Sequence, residues 1–186
     1  MRVIAGEQRG RKLRVPRGHR VRPALARVKA SLFDILVSRG HIQGERILDV
    51  FAGSGSLGIE ALSRGAESMV FVEQDRVAVR ALRANVAAGR FQAPTSVMVE
   101  SAGPALLRLE RSHACFDGAF LDPPYASSWA PRLLDYLGGT ALIREDGWVA
   151  VHHRRGEEPA GSYGCLIAEI SRRIGDAGLT IYWRRQ

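Results

Sequence analysis

Residues 49–58 read DVFAGSGSLG, and the last six spell GxGxxG. The apolar run 46–51 (RILDVF) leads into the glycines and the helix-like segment 57–64 leads out of them, a strand–turn–helix context that suits a ligand-binding turn. In an open α/β sheet, ligands lie beyond the carboxyl ends of the strands, where the strand order reverses. Gly53 and Gly55 would let backbone approach a ligand closely, and Gly58 would let the following helix pack tightly. Glu73 stands twenty residues past Gly53, at the end of the next apolar run, where an acid suits the two hydroxyls of an adenosine ribose.

The same alternation continues outward. Short apolar runs at 68–73 (SMVFVE), 95–100 (TSVMVE), 117–122 (DGAFLD) and 147–153 (GWVAVHH) are separated by helix-like segments at 76–88, 103–110 and 129–137. Apolar strands with helices between them predict a mostly parallel sheet covered on both faces. The segments 165–174 and 178–185 flank the turn GDAG with no helix between them, which predicts an antiparallel hairpin at one edge. The stretch EEPAGSYG (157–164) reads as a mobile loop. Ahead of the glycine turn, residues 2–16 alternate basic and apolar side chains around EQRGR and predict a basic β-hairpin. Pro23 opens a helix that Gly40 stops.

A chain of 186 residues is one domain by length, and at this size folding buries about 70% of the unfolded surface. We divide it at residue 45 into an N-terminal extension (1–45) and an α/β domain (46–186). Cys115 and Cys165 are far apart, and the five histidines show no metal-ligand spacing, so a reducing compartment and no metal are expected. No apolar run has the length of a membrane span, and the first residues lack the apolar core of a leader; the reading is a cytoplasmic monomer. The net charge of +8 is segregated: residues 1–30 hold ten basic side chains against one acid, Glu7. A cationic arm on a near-neutral body favours a polyanion, and nucleic acid is the commonest. The competing account is an arginine-rich surface set by codon usage, since 25 of the 27 basic residues are Arg.

Glu73 fits the ribose of NAD and of S-adenosylmethionine alike. Asp49, four residues ahead of Gly53, separates them: a carboxylate there would repel a pyrophosphate but suits the ammonium and sulfonium of S-adenosylmethionine. A capping role for Asp49 in the turn is compatible with either ligand. The run 117–122 ends in Asp122-Pro123-Pro124-Tyr125. Two prolines stiffen that loop and leave carbonyls free, so the Asp122 carboxylate and the Pro123 carbonyl make a pair of acceptors for an exocyclic amine. Tyr125 adds a face for a stacked base, worth about 1–3 kcal/mol. Holding both amine protons would favour a tetrahedral nitrogen whose lone pair is aimed at a methyl donor.

Taken in order, RVIAGEQRGRKLRVP, RP with RVKASLF, LDVFAGSGSLGIEALSRGA, VFVEQD, FLDPPY and GDAGLTIYW resemble the bacterial 16S ribosomal RNA guanine-N2 methyltransferase family, RsmD, over nearly the whole chain. The resemblance implies a Rossmann-like class I methyltransferase fold with a seven-stranded sheet and S-adenosyl-L-methionine as cofactor. It places the cofactor on Asp49, Phe51, Ala52, Gly53, Ser54, Gly55, Glu73, Gln74, Ser101 and Ala102. It places the flipped guanine on the catalytic set Asp122, Pro123 and Tyr125, with Pro124 beside them. The RNA, in an assembling or assembled small subunit, would meet Arg9, Arg11, Lys12, Arg14, Arg22 and Arg27. The chain departs from the family pattern at Val21, Ala24 and Ala26, and at Ser101, where an Asp is usual. Adenine-N6 methylation of DNA or RNA shares the DPPY loop and stands as the alternative, followed by a non-enzymatic RNA-binding module. His152, His153, Cys165 and Trp183 are read as packing or surface.

Overall fold

The computed structural model describes residues 1–16, 23–125 and 127–185, with residues 23–25 described by backbone only. The order is α1 (Pro23–Ser38), β1 (Arg46–Val50), α2 (Ser56–Ser63), β2 (Ser68–Val72), α3 (Arg76–Gly89), β3 (Thr95–Met98), α4 (Ala102–Arg111), β4 (Phe116–Leu121), α5 (Trp129–Gly139), β5 (Ile143–Arg154), β6 (Ser162–Tyr163), β7 (Leu166–Ile174) and β8 (Ala177–Arg184). Each strand and helix expected from residue 23 onward is present.

The strands form one sheet in the order β3-β2-β1-β4-β5-β8-β7-β6. β1 to β5 run parallel, and β8 pairs antiparallel with both β5 and β7, giving the expected closing hairpin. The seven expected strands gain an eighth, because the stretch read as a mobile loop contains the two-residue β6. That stretch is also fastened inward, with Tyr182 Oη donating to the Ala160 carbonyl at 2.7 Å.

Alternation along the strands builds two cores. Ile47, Phe71, Phe120 and Trp148 pack with Phe33 of α1, Ile59 of α2 and Leu82 of α3 on one face. Leu48, Val72, Leu121 and Val149 pack with Leu106 of α4 and Leu134 of α5 on the other. Successive side chains of a strand point to opposite faces, so a strand covered on both sides must be apolar throughout, as β1 is after its first residue apart from Asp49.

The N-terminal arm keeps the expected hairpin in short form, with residues 1–3 facing 10–13. A single antiparallel bridge joins Arg2 and Lys12, and no strand ladder extends from it among the described residues. Val3 N–H bonds the Arg11 carbonyl at 3.0 Å, Gly10 N–H the Val3 carbonyl at 2.9 Å and Leu13 N–H the Met1 carbonyl at 2.9 Å, while other donors turn to α2: Ile4 N–H and Ala5 N–H bond the two Glu60 carboxylate oxygens at 2.8 and 3.0 Å, and Gln8 N–H bonds Ser63 Oγ at 2.9 Å. Val3 and Leu13 are buried in the same core as α1, α2 and α3. Lys29, counted in the cationic segment, is buried and pairs with Glu60 at 3.0 Å, so it is no part of an exposed cationic face.

Candidate active site

β1 lies between β2 and β4, so the order reverses between β1 and β4. Val50 pairs with Leu121, which brings the loops after these strands out side by side. Asp122 N–H donates to the Val50 carbonyl at 3.3 Å, joining the 122–125 loop to the foot of the glycine turn.

In that turn Phe51 and Gly53 have positive φ, 63° and 56°. A Cβ on Gly53 would meet nothing within 4 Å, so its backbone faces open space where a ligand can approach. Gly55 is different: a Cβ there would collide with Leu82 Cδ1, so its missing side chain serves the packing of α3. Gly58 lets α2 sit on β2, because a Cβ would overlap the Phe71 ring. Phe51 packs its ring edge-on against Trp129 at 5.9 Å, and Ala52 is buried with its N–H bonded to the Val72 carbonyl. The Ser54 carbonyl accepts from Asn85 Nδ2 at 2.9 Å.

Asp49 is buried and accepts from Gly58 N–H at 2.9 Å. The N-cap of α2 is Gly55, which has no side chain to cap with, so the strand residue takes one of the helix's orphan donors. Burial pushes the Asp49 carboxyl up to about 8; the Gly58 N–H opposes this, and Asp122 and Glu73 add to it. Three carboxyls therefore sense one another around this turn. Glu73 is oriented through both oxygens, Oε2 accepting from Gly53 N–H and Oε1 from Asp75 N–H, each at 2.8 Å. Gln74 is exposed beside it. Across the edge, Ser101 caps α4 without a side-chain bond, and Ala102 is buried behind it.

In the 122–125 loop Pro123 is buried, Pro124 is exposed with its carbonyl bonded by Ser127 Oγ–H, and Tyr125 is half-buried. The residue missed from sequence is His152. Its Nδ1 lies 2.6 Å from Asp122 Oδ1 and its Nε2 lies 3.1 Å from Tyr125 Oη. The imidazole is 6% exposed while the Asp122 carboxylate is 37% exposed, so the pair offers a held carboxylate with one oxygen still open. In the neutral tautomer with the proton on Nδ1, the ring donates to Asp122 Oδ1 and its Nε2 accepts from the tyrosine hydroxyl. A signal for His152 existed: on adjacent parallel strands, Asp122 and His152 are each the first polar residue after an apolar run. His153 points to the other face and meets Thr180 Oγ1 at 3.0 Å. Trp183 is core, as expected.

Pro123, Pro124 and Tyr125 line a pocket of about 470 Å³ with His152 and the 157–160 segment. Arg9, Lys12 and Arg14 are exposed on the arm, and Arg11 is half-exposed, its Nε donating to Gln8 Oε1 at 2.7 Å. Arg27 is exposed on α1, and Arg22 lies outside the described residues. Among the described residues, no helix is long and apolar enough to cross a membrane.

Residues 1–183 match the family model described as Conserved hypothetical protein 95. YlbH of Bacillus subtilis (strain 168) is 36% identical over 185 residues, covering all of both chains. A Haemophilus influenzae protein named ribosomal RNA small subunit methyltransferase D is 35% identical over 149 residues, 80% of this chain and 73% of that protein. The solved structure of a hypothetical protein from Thermus thermophilus superposes with a TM-score of 0.83 at 32% identity, over 97% of this chain and 98% of that one. On the end-to-end family match, the full-length relative and the shared fold, the chain belongs to the Conserved hypothetical protein 95 family, the RsmD family of methyltransferases.

Proposed function

We propose that the protein methylates the exocyclic N2 amine of a guanine in small-subunit ribosomal RNA, with S-adenosylmethionine as the donor. The observation that carries this reading is the Asp122 carboxylate. It sits at the switch point beside the glycine turn, with Oδ1 held by His152 and its other oxygen open. The names of the relatives support the ribosomal RNA substrate.

The turn suits S-adenosylmethionine because it gathers carboxyls, and a cation offsets their mutual repulsion where a pyrophosphate would add to it. Glu73, already oriented by two backbone N–H groups, would take the ribose hydroxyls. Gln74, Ser101 and Ala102 would border the adenine, and Asp49 with residues 51–55 the methionine portion. When bound, S-adenosylmethionine supplies an electrophilic methyl group on sulfur.

The chain's own work is positional and electrostatic. The open Asp122 oxygen and the Pro123 carbonyl accept from the two amine protons and draw the nitrogen lone pair out of conjugation. Tyr125 stacks on the base once it has left its helix, and His152 fixes Asp122 and Tyr125 relative to each other. The nitrogen gains one methyl and loses one proton, for which Asp122 is the nearest acceptor. Residues 1–45 act as an RNA-binding extension through Arg9, Arg11, Lys12, Arg14, Arg22 and Arg27.

The test is incubation with labelled S-adenosylmethionine and small subunits from cells lacking the enzyme, followed by nucleoside analysis. N2-methylguanosine is expected, and N6-methyladenosine would overturn the choice of base. Asp122→Ala should lower turnover by about 10²–10³-fold with cofactor affinity preserved. His152→Ala should act in the same direction by up to about 10²-fold, through misplacement of Asp122 rather than loss of an acceptor.

A further inference from the structure

A second concavity opens off the 122–125 loop, on the side away from the glycine turn. It is a cleft of about 440 Å³ lined by Tyr125, Arg154, Arg155 and Asp176. Arg154 is the last residue of β5, opposite Ala177 of β8, and Arg155 follows with its N–H bonded to the Asp176 carbonyl at 3.0 Å. Both arginines are exposed. A third guanidinium approaches from α1: Arg27 Nη2 lies 3.9 Å from where a Cβ on Gly175 would stand, against the same β7–β8 turn.

Their position sets these arginines apart. Some exposed arginines of the body have acidic partners, as Arg39 with Glu169 and Arg108 with Glu100, and others such as Arg80 and Arg132 are exposed without one, but Arg154 and Arg155 line a cleft together with Tyr125 of the 122–125 loop. Arg154 and Arg155 have no ion pair among the described residues, and neither comes within ion-pair distance of Asp176, the one acid in their cleft. Guanidinium groups left unpaired beside one another repel. Such an arrangement is stabilised by an anion that both can fork onto, and a phosphodiester fits that geometry.

We infer that the Arg154–Arg155 cleft is a phosphate seat for the RNA backbone next to the nucleotide whose base enters the 122–125 site. The inference rests on the RNA reading above and adds to it a contact surface in the half of the chain whose net charge is near zero. A base rotated out of its helix keeps its phosphates attached, so cations at the rim of the base pocket meet the backbone on one side of it. Tyr125 is shared by both concavities and is the natural boundary between base and phosphate.

The double variant Arg154→Ala/Arg155→Ala tests this against wild type and against Arg108→Ala, whose arginine is paired. The readouts are affinity for a short single-stranded guanine-containing RNA as a function of salt, KM and kcat on small subunits, and binding of S-adenosylhomocysteine. Losing two phosphate contacts should flatten the slope of log K against log salt by about 1.4. KM for the subunit should rise while kcat at saturation and S-adenosylhomocysteine binding stay as in wild type. Arg154→Lys/Arg155→Lys should restore most of the slope, since counterion release follows charge. An unchanged slope and KM in the double alanine variant would overturn the seat, even where the product is N2-methylguanosine. A flattened slope with a different methylated nucleoside would leave the seat standing and overturn the base assignment instead.

Discussion

Asp49 is enclosed at the foot of the glycine turn, and burial pushes its carboxyl up to about 8, against the pull of the Gly58 N–H and with help from Asp122 and Glu73. Its ordinary value is 3.8, so the folded state holds a proton there that the unfolded chain releases. Folding takes up that proton between the two values, and this group's contribution to stability therefore falls as pH rises from 3.8 towards 8. A cationic ligand beside it reverses the preference. Binding of S-adenosylmethionine near neutral pH should release up to about one proton, and the release should fade above the folded value. Calorimetry in two buffers of different ionisation enthalpy measures this directly, and a binding enthalpy independent of buffer would refute it. Asp49→Asn keeps an oxygen for Gly58 N–H, so it should abolish the proton release and remove this group's loss of stability as pH rises from 3.8 towards 8. The sequence made the tension at this residue visible, in offering both a cation partner and a turn cap for Asp49, but not its resolution, because burial is a property of the closed sheet. His152 shows the same limit from the other side. It stands thirty residues from Asp122, and only the β4–β5 register puts the two within 2.6 Å.

The alternation of strands and helices from residue 46 to the end of β5 could be read in full, since apolar runs that are buried on both faces leave little choice of period. The arm could be read only in part. Its basic and apolar alternation is that of a strand, and residues 1–3 do bond across to 10–13, but the acceptors that Ile4, Ala5 and Gln8 meet belong to α2. Glu60 is the centre of that contact. Burial opposes its ionisation, yet the Ile4 N–H, Lys29 and Arg64 together hold its pKa below the usual carboxylate value. Lys29 Nζ also donates to the Arg2 carbonyl at 2.9 Å, which ties α1, α2 and the arm at one point. Glu60→Ala would leave Lys29 buried without an anion and strip the acceptor from two backbone donors. We expect a loss of about 3–5 kcal/mol by denaturant unfolding, with residues 1–16 becoming sensitive to protease before the sheet does. Lys29→Met should cost less, because Glu60 would keep Arg64 and both backbone donors. Equal losses for the two variants would show that the ion pair, and not the backbone anchoring, holds the arm.

At the scale of the whole molecule, charge and topology rearrange what the linear order suggests. The cationic segment loses Lys29 to the interior, while Arg154 and Arg155, from a half with almost no net charge, come to the edge that carries Asp122. The arm is also joined to the glycine turn through one side chain. Asn85 of α3 accepts from Arg14 N–H at 2.8 Å and donates to the carbonyls of Arg14 and Ser54, each at 2.9 Å. An RNA that orders the arm would therefore order the turn that borders the cofactor, and linkage makes the effect reciprocal. In wild type, RNA and S-adenosylhomocysteine should each strengthen the other's binding, by a factor within the usual range of about 5–150. Asn85→Ala touches neither ligand, yet it should bring that factor close to one, besides the stability lost by leaving buried partners unsatisfied, about 1–3 kcal/mol. The measurement is a four-way cycle: S-adenosylhomocysteine affinity with and without RNA, in both proteins, at a temperature where each is folded. If the cycle shows the same factor with and without Asn85, arm and turn communicate by another route. If wild type shows no coupling at all, the Asn85 bridge is only a fastening, and the arm serves to hold RNA independently of the cofactor.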